Sequence, residues 1–146
     1  MTLQEREPDA AQLDRALQTI VEAFDSDTGT VHLLGADGLL HLAAATSGIP
    51  EAVRETIARI PVGKGMAGLA VARGRPVDTC NIQTDATGDV RPGARATGLS
   101  GAVVVPIFRG SEVVGALGIG TRHERSFTER EIAELLAQAR NLAPTS

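Results

Sequence analysis

The stretch Ile60–Pro76, IPVGKGMAGLAVARGRP, decides how the rest of the chain is read. Three glycines, Gly63, Gly65 and Gly68, lead into an apolar segment of helical length, and Gly74 and Pro76 close it. Glycine carries no Cβ, so the backbone here can bend tightly or approach another group closely. Met66, Leu69 and Ala70 fall on one face at helical spacing. Gly74 takes the position favoured for a left-handed cap, and Pro76 prevents continuation. A strand over Val77–Cys80 follows. A glycine turn that opens a helix leaves free backbone N–H groups, where an anion can sit.

Two phosphate-binding readings of these glycines fail. Gly63, Gly65 and Gly68 match G-x-G-x-x-G, and Asp85 lies at a plausible distance for a ribose contact. That fingerprint requires a strand immediately before it inside a βαβ unit. The preceding segment Pro50–Ile60 reads as a helix, with Pro50 in its first turn and Val53, Ile57 and Ile60 on one face. Lys64 is followed by Gly65, where a phosphate-loop lysine is followed by the Ser or Thr that holds magnesium. The plain expectation is a tight turn with a solvated lysine.

A chain of 146 residues fits one domain with a sizeable core. Its hydrophobic and charged fractions, 42% and 22%, are those of an ordinary globular protein. No apolar run approaches membrane-spanning length, and the charged start MTLQEREPD is unlike a signal peptide. A cytoplasmic location without membrane contact is therefore expected. The single cysteine, Cys80, excludes an internal disulfide and a cysteine-rich metal site. Three Phe without Trp or Tyr leave few platforms for base stacking, and the net charge of −4 also argues against nucleic acid. Charge is nonetheless uneven: Arg54, Arg59, Lys64, Arg73, Arg75, Arg91 and Arg95 face only Glu55, Asp78, Asp85 and Asp89 around the glycine stretch.

In chain order, residues 1–10 read as a frayed terminus and 143–146 as a tail around one domain spanning 11–142. Asp9 can cap a helix whose apolar stripe is Leu13, Leu17, Ile20, Val21 and Phe24. Gly29–Leu34 and Leu39–Thr46 form a hairpin around Asp37-Gly38. A four-residue loop there pairs His32 with His41, and a two-residue turn sets them diagonally. Either way they share a face. Two histidines are too few for a metal site, so an ordinary exposed or helix-facing pair is expected. After Cys80 comes a polar passage in which Arg91–Thr97 has room for a short helix. Ala102–Phe108 suits a central strand with Pro106 near its end or at a bulge, and Glu112–Gly120 returns beside it. Thr128 and Glu131 form a capping box, Phe127 and Ile132 a hydrophobic staple, and Ile132, Leu135, Leu136 and Ala139 a buried stripe. Hairpins imply an antiparallel sheet and an α+β fold.

VGKGMAGLAVARGRPVDTCNI, TGLSGAVVVPIFRGSEVVGALGIG and SFTEREIAELL, in this order, resemble a GAF domain over Ala11–Leu142. The resemblance implies a central antiparallel sheet with the first and last helices on one face and a ligand pocket on the other. It also implies that Asn81 and Asp85 stand near the usual polar loop positions and that Gly98–Ser100 precede the central strand. Members of that family bind cyclic nucleotides, bilins, haem, small anions or metabolites. A bilin calls for an attachment cysteine with aromatic packing, and Cys80 lacks the aromatics. The N-K-F-D-E type signature of the cyclic-nucleotide class is missing, and haem would have only His32, His41 or His123 as axial ligand.

The expected function is a sensory or regulatory binding module for an unidentified small molecule, with no cofactor or metal. Its cavity is expected between the sheet and Gly63–Thr97. The binding candidates are the N–H groups of Gly65 and Met66 with Thr79, Asn81, Asp85, Arg91, Arg95 and Ser100. A short helix would aim Arg91 and Arg95, spaced i,i+4, at one anionic group. The resemblance implies homodimerisation through the terminal helices and a signalling protein partner in trans. Two alternatives stand beside it. One is an interaction module with a degenerate pocket. The other is the family's free methionine-R-sulfoxide reductase branch, whose chemistry needs an attacking thiolate and a resolving thiol. That branch's cysteine after the glycine turn corresponds to Met66 or Ala67, and the loop before the central strand holds none, which leaves Cys80 as the one catalytic candidate.

Overall fold

The computed structural model describes residues 10–84 and 98–144. The elements are α1 (Ala10–Ala23), β1 (Thr28–Leu34), β2 (Leu39–Ala45), α2 (Glu51–Thr56), β3 (Arg59–Pro61), α3 (Gly65–Arg73), β4 (Val77–Thr79), β5 (Gly101–Arg109), β6 (Glu112–Thr121) and α4 (Glu129–Arg140). Six strands form one antiparallel sheet in the order β3-β2-β1-β6-β5-β4, an α+β architecture.

Strand alternation gives the sheet two faces of different character. Val31 of β1, Val103, Val105 and Ile107 of β5, and Leu117 and Ile119 of β6 are buried against Leu13, Leu17, Ile20 and Val21 of α1 and Leu135 and Ala139 of α4. Both terminal helices thus cover one face. Arg125 ties them together: Nη1 donates to the carbonyls of Phe24 (2.7 Å) and Asp25 (2.9 Å), and Nη2 donates to Glu131 (2.7 Å). The α4 start has the expected capping box, Glu131 N–H to Thr128 Oγ1 at 3.1 Å and Thr128 N–H to Glu131 Oε1 at 2.9 Å. The opposite face carries α3, where Ala70 packs with Val77, Val104 and Ala116.

The glycines of the α3 turn each have a structural reason. Gly63 (φ 92°) and Gly65 (φ 68°) occupy the left-handed region, and Gly74 (φ 65°) is the left-handed cap. A Cβ on Gly68 would lie 2.5 Å from the Pro61 carbonyl oxygen. The strand before this turn is β3, an edge strand antiparallel to β2 and outside any βαβ unit.

Two expectations need correction. The Pro50 helix ends at Thr56, and Ile60 pairs with Leu40 in β3. A residue before proline is disfavoured in the α region, so Pro61 holds Ile60 extended, and proline is tolerated on an edge strand. Five residues separate the paired Leu34 and Leu40, which matches neither loop length considered. His41 consequently pairs with Leu33, and His32 with Leu42, so the histidines lie on opposite faces. His41 is half-buried beside Asp37 (2.9 Å), whereas His32 is 2% exposed. Pro106, as expected, sits towards the end of β5 next to the register shift between Ile107 and Phe108, and beyond Val104, the last β5 residue paired with β4, so the hydrogen bond that proline cannot donate has no strand waiting for it. Asp9 and the helix expected over Arg91–Thr97 lie outside the described residues.

Candidate functional site

On the α3 side of the sheet lies a cavity of about 600 Å³. Its floor is β1, β6 and β5, its roof is α2 with Ile57 and Ile60, and one end is the start of α3. The floor is open because its cross-strand residues are small: Thr28 faces Gly120, Thr30 faces Gly118 and His32 faces Ala116. Ala102 and Val104 continue that floor on β5. Apolar walls come from Ile49, Val53, Ile57, Ile60 and Leu99.

Polar groups enter from two sides. At one end stand Lys64 and the first three α3 residues, Gly65, Met66 and Ala67, all on the cavity wall. The first N–H groups of a helix have no intrahelical partner, and the N-cap Lys64 supplies no side-chain cap. Those donors therefore remain for a ligand, and the helix dipole adds positive potential. Lys64 has no ion-pair partner, and the cavity wall carries no carboxylate, among the described residues.

On the floor, His32 Nε2 lies 2.8 Å from the Ile57 carbonyl oxygen. A carbonyl only accepts, so Nε2 carries the proton and this bond ties the end of α2 to β1. Burial pushes the imidazole pKa below its ordinary value of 6.5, with the Ile57 bond partly opposing, which keeps the ring neutral. Nδ1 is then a lone-pair acceptor.

The residues singled out from the sequence fall in three places. Gly65 and Met66 are on the cavity wall. Thr79, Asn81 and Ser100 are off it: Thr79 Oγ1 accepts from Asn81 N–H at 3.3 Å, Asn81 Oδ1 accepts from Gln83 N–H, and Ser100 exchanges backbone hydrogen bonds with Ile82 and Thr121. Cys80 is exposed and also off the wall. Asp85, Arg91 and Arg95 lie outside the described residues. Sequence reasoning missed the Thr28, Thr30 and His32 row and the roof from α2. The signal was present as TGTVH, polar at alternate positions, but its meaning depends on pairing with the glycines of GALGIG.

The GAF domain model matches residues 10–144. The chain belongs to the GAF domain family. Its fold is similar to that of free methionine-R-sulfoxide reductase from Neisseria meningitidis in complex with its substrate, at 25% identity, 91% of this chain, 74% of that chain and a TM-score of 0.74. The GAF domain of a phosphoenolpyruvate-protein phosphotransferase from Coxiella burnetii shares 23% identity over 94% of this chain and 82% of that one, with a TM-score of 0.75. Type II free methionine-R-sulfoxide reductase from Thermoplasma acidophilum shares 20% identity over 91% and 87%, with a TM-score of 0.73. No curated protein matches the chain. These neighbours thus include both a phosphotransferase GAF domain and reductases, and among the described residues no helix is long and apolar enough to cross a membrane.

Proposed function

We propose that this GAF domain is a sensory or regulatory module that binds a small anion-bearing ligand, without catalysis. One observation carries the reading: Lys64 and the uncapped start of α3 border a cavity of about 600 Å³ whose walls are otherwise largely apolar. Such a volume lies within the range of small-molecule sites. A carboxylate or similar monoanion there would accept from the Gly65, Met66 and Ala67 N–H groups and face the Lys64 ammonium. The position of Cys80, exposed and off the wall, supports binding over thiol-based sulfoxide reduction, which needs a thiolate on the substrate sulfur.

Two copies would associate through α1 and α4, and a partner protein would read the liganded state. A groove of about 310 Å³ between those helices, bordered by Ile20, Phe24 and Ala137, supports that surface. Sedimentation of wild type and Ala137→Arg tests it, with dimer loss expected in the variant and an unchanged mass contradicting it.

Calorimetric titration with small carboxylates, nitrate and phosphate tests the ligand reading. One anion class should bind, and Lys64→Gln should weaken it about tenfold, the effect of losing one charge-assisted contact. Absence of binding across the panel, or indifference to Lys64→Gln, would overturn it. Turnover of methionine-R-sulfoxide with a thiol reductant, lost in Cys80→Ser, would establish the reductase instead.

A further inference from the structure

The polar row on β1 is a second recognition element in the same cavity. Thr28, Thr30 and His32 occur at alternate positions, so they share one face of the strand, and all three border the cavity. Thr28 is 3% exposed and His32 2%. Among the described residues, no hydrogen bond engages the Thr28 or Thr30 hydroxyl or His32 Nδ1, and no side-chain polar atom is sealed off without a partner. These atoms therefore open on the cavity they border. The opposing strand leaves them clear, because a Cβ on Gly118 or Gly120 would come within 3.3 Å of the Thr30 or Thr28 hydroxyl.

The chemistry of the row restricts what can face it. Two hydroxyls can donate or accept, but neutral His32 Nδ1 can only accept, because Nε2–H is committed to Ile57. A group seated there must bring an O–H or N–H. An ammonium would arrive without a carboxylate among the described wall residues, and desolvating a cation against neutral acceptors alone is costly. A hydroxyl carries no such penalty. The rest of the wall is largely apolar, with Val53, Ile57 and Ile60 from the roof and Ala102 and Val104 on the floor.

We propose that Thr28, Thr30 and His32 select the hydroxyl of a small hydroxycarboxylic acid whose apolar skeleton crosses the cavity and whose carboxylate sits at Lys64 and the start of α3. The carboxylate half rests on the reading under Proposed function, and the hydroxyl half is separate. An unmet acceptor in this buried row costs affinity when the hydroxyl is missing, because the site's polar groups are then desolvated without partners.

Calorimetric titration with ω-hydroxybutyrate through ω-hydroxydecanoate, with the matching unsubstituted acids and with the matching ω-amino acids, tests the assignment. One hydroxy acid should bind at least about tenfold more tightly than both of its analogues. Thr28→Val/Thr30→Val, which keeps the shape of both side chains, should bring the hydroxy and unsubstituted acids within about twofold. His32→Phe should do the same. Equal binding of hydroxy and unsubstituted acids that is still weakened by Lys64→Gln would overturn the β1 assignment and leave the anion site standing. A hydroxyl preference that survives both the double valine and the phenylalanine variants would also overturn it. No binding by any acid would overturn both.

Discussion

Gly68→Ala separates a packing role for the α3 glycines from a ligand-approach role. In a helix interior, alanine is favoured over glycine by about 1 kcal/mol, so an unencumbered Gly68 would gain stability on substitution. The surroundings reverse that sign. The added Cβ would lie 2.5 Å from the Pro61 oxygen, 3.0 Å from the Gly63 nitrogen and 3.4 Å from the Gly63 carbonyl carbon. All three are main-chain atoms, so none can rotate aside, and the Gly63 N–H to Gly68 carbonyl bond (2.8 Å) resists separation of the two segments. Overpacking typically costs about 1–3 kcal/mol, and contact with fixed backbone puts this site in the upper half. The net expectation is a destabilisation of about 1–2 kcal/mol after the propensity gain. For a domain of this size that lowers Tm by roughly 3–8 °C, measurable by differential scanning calorimetry. An unchanged or raised Tm together with lost ligand binding would refute the packing account and return the glycine to a ligand.

Three further outcomes follow from the same contacts. Thr128→Ala removes the side chain that caps Glu131 N–H and should cost about 1 kcal/mol in denaturant unfolding, while Ser126→Ala, at an exposed position beside it, should cost less than about half of that. Leu117→Ala opens a fully buried position between the sheet and the terminal helices and should cost about 2–5 kcal/mol by the same measurement. Stability should fall in two stages on acidification. His32 and Glu131 both have folded pKa values below their ordinary ones, His32 through burial and Glu131 through the Thr128 N–H bond and then Arg125. The unfolded chain therefore binds more protons in both ranges. Stability is complete above about pH 6.5, erodes below it as His32 must charge, and erodes again as pH falls below 4.5 through the folded value of Glu131. Urea midpoints across pH should lose the upper stage in His32→Phe and show a smaller lower stage in Glu131→Gln, the remainder coming from Asp37, whose pKa is lowered by the Leu39 N–H and then by His41.

The parts of the fold legible in the sequence are those fixed by local chemistry. Thr128, Glu131, Phe127 and Ile132 specify the α4 start within a few residues, and Leu13, Leu17, Ile20 and Val21 mark the buried stripe of α1 without outside information. Gly74 as a left-handed cap is equally local. What failed depended on competition between local signals or on partners far along the chain. Val53, Ile57 and Ile60 keep a helical period, yet Pro61 forces Ile60 out of the helix and into β3. The β1–β2 hairpin was plain, but its side-chain facing turned on a single residue of loop length, and that residue moved His41 to the opposite face from His32. The cavity is the least local feature of all. Thr28, Thr30 and His32 become a site only because β6 brings Gly120, Gly118 and Ala116 opposite them, about ninety residues later. The polar loop around Asn81 has the composition of a binding loop, but Asn81 spends its side chain on Gln83 N–H and Glu124.

The central claim is that one cavity reads a small anion at the start of α3. The most direct measurement is a two-dimensional ¹H–¹⁵N correlation titration with the hydroxy acid that binds most tightly in calorimetry. The account predicts saturable shifts at the Gly65, Met66 and Ala67 amides and at Thr30 and His32 on the cavity floor, with one common dissociation constant. Shifts confined to α1, α4 or the Cys80–Thr84 segment, with those five residues still, would contradict it.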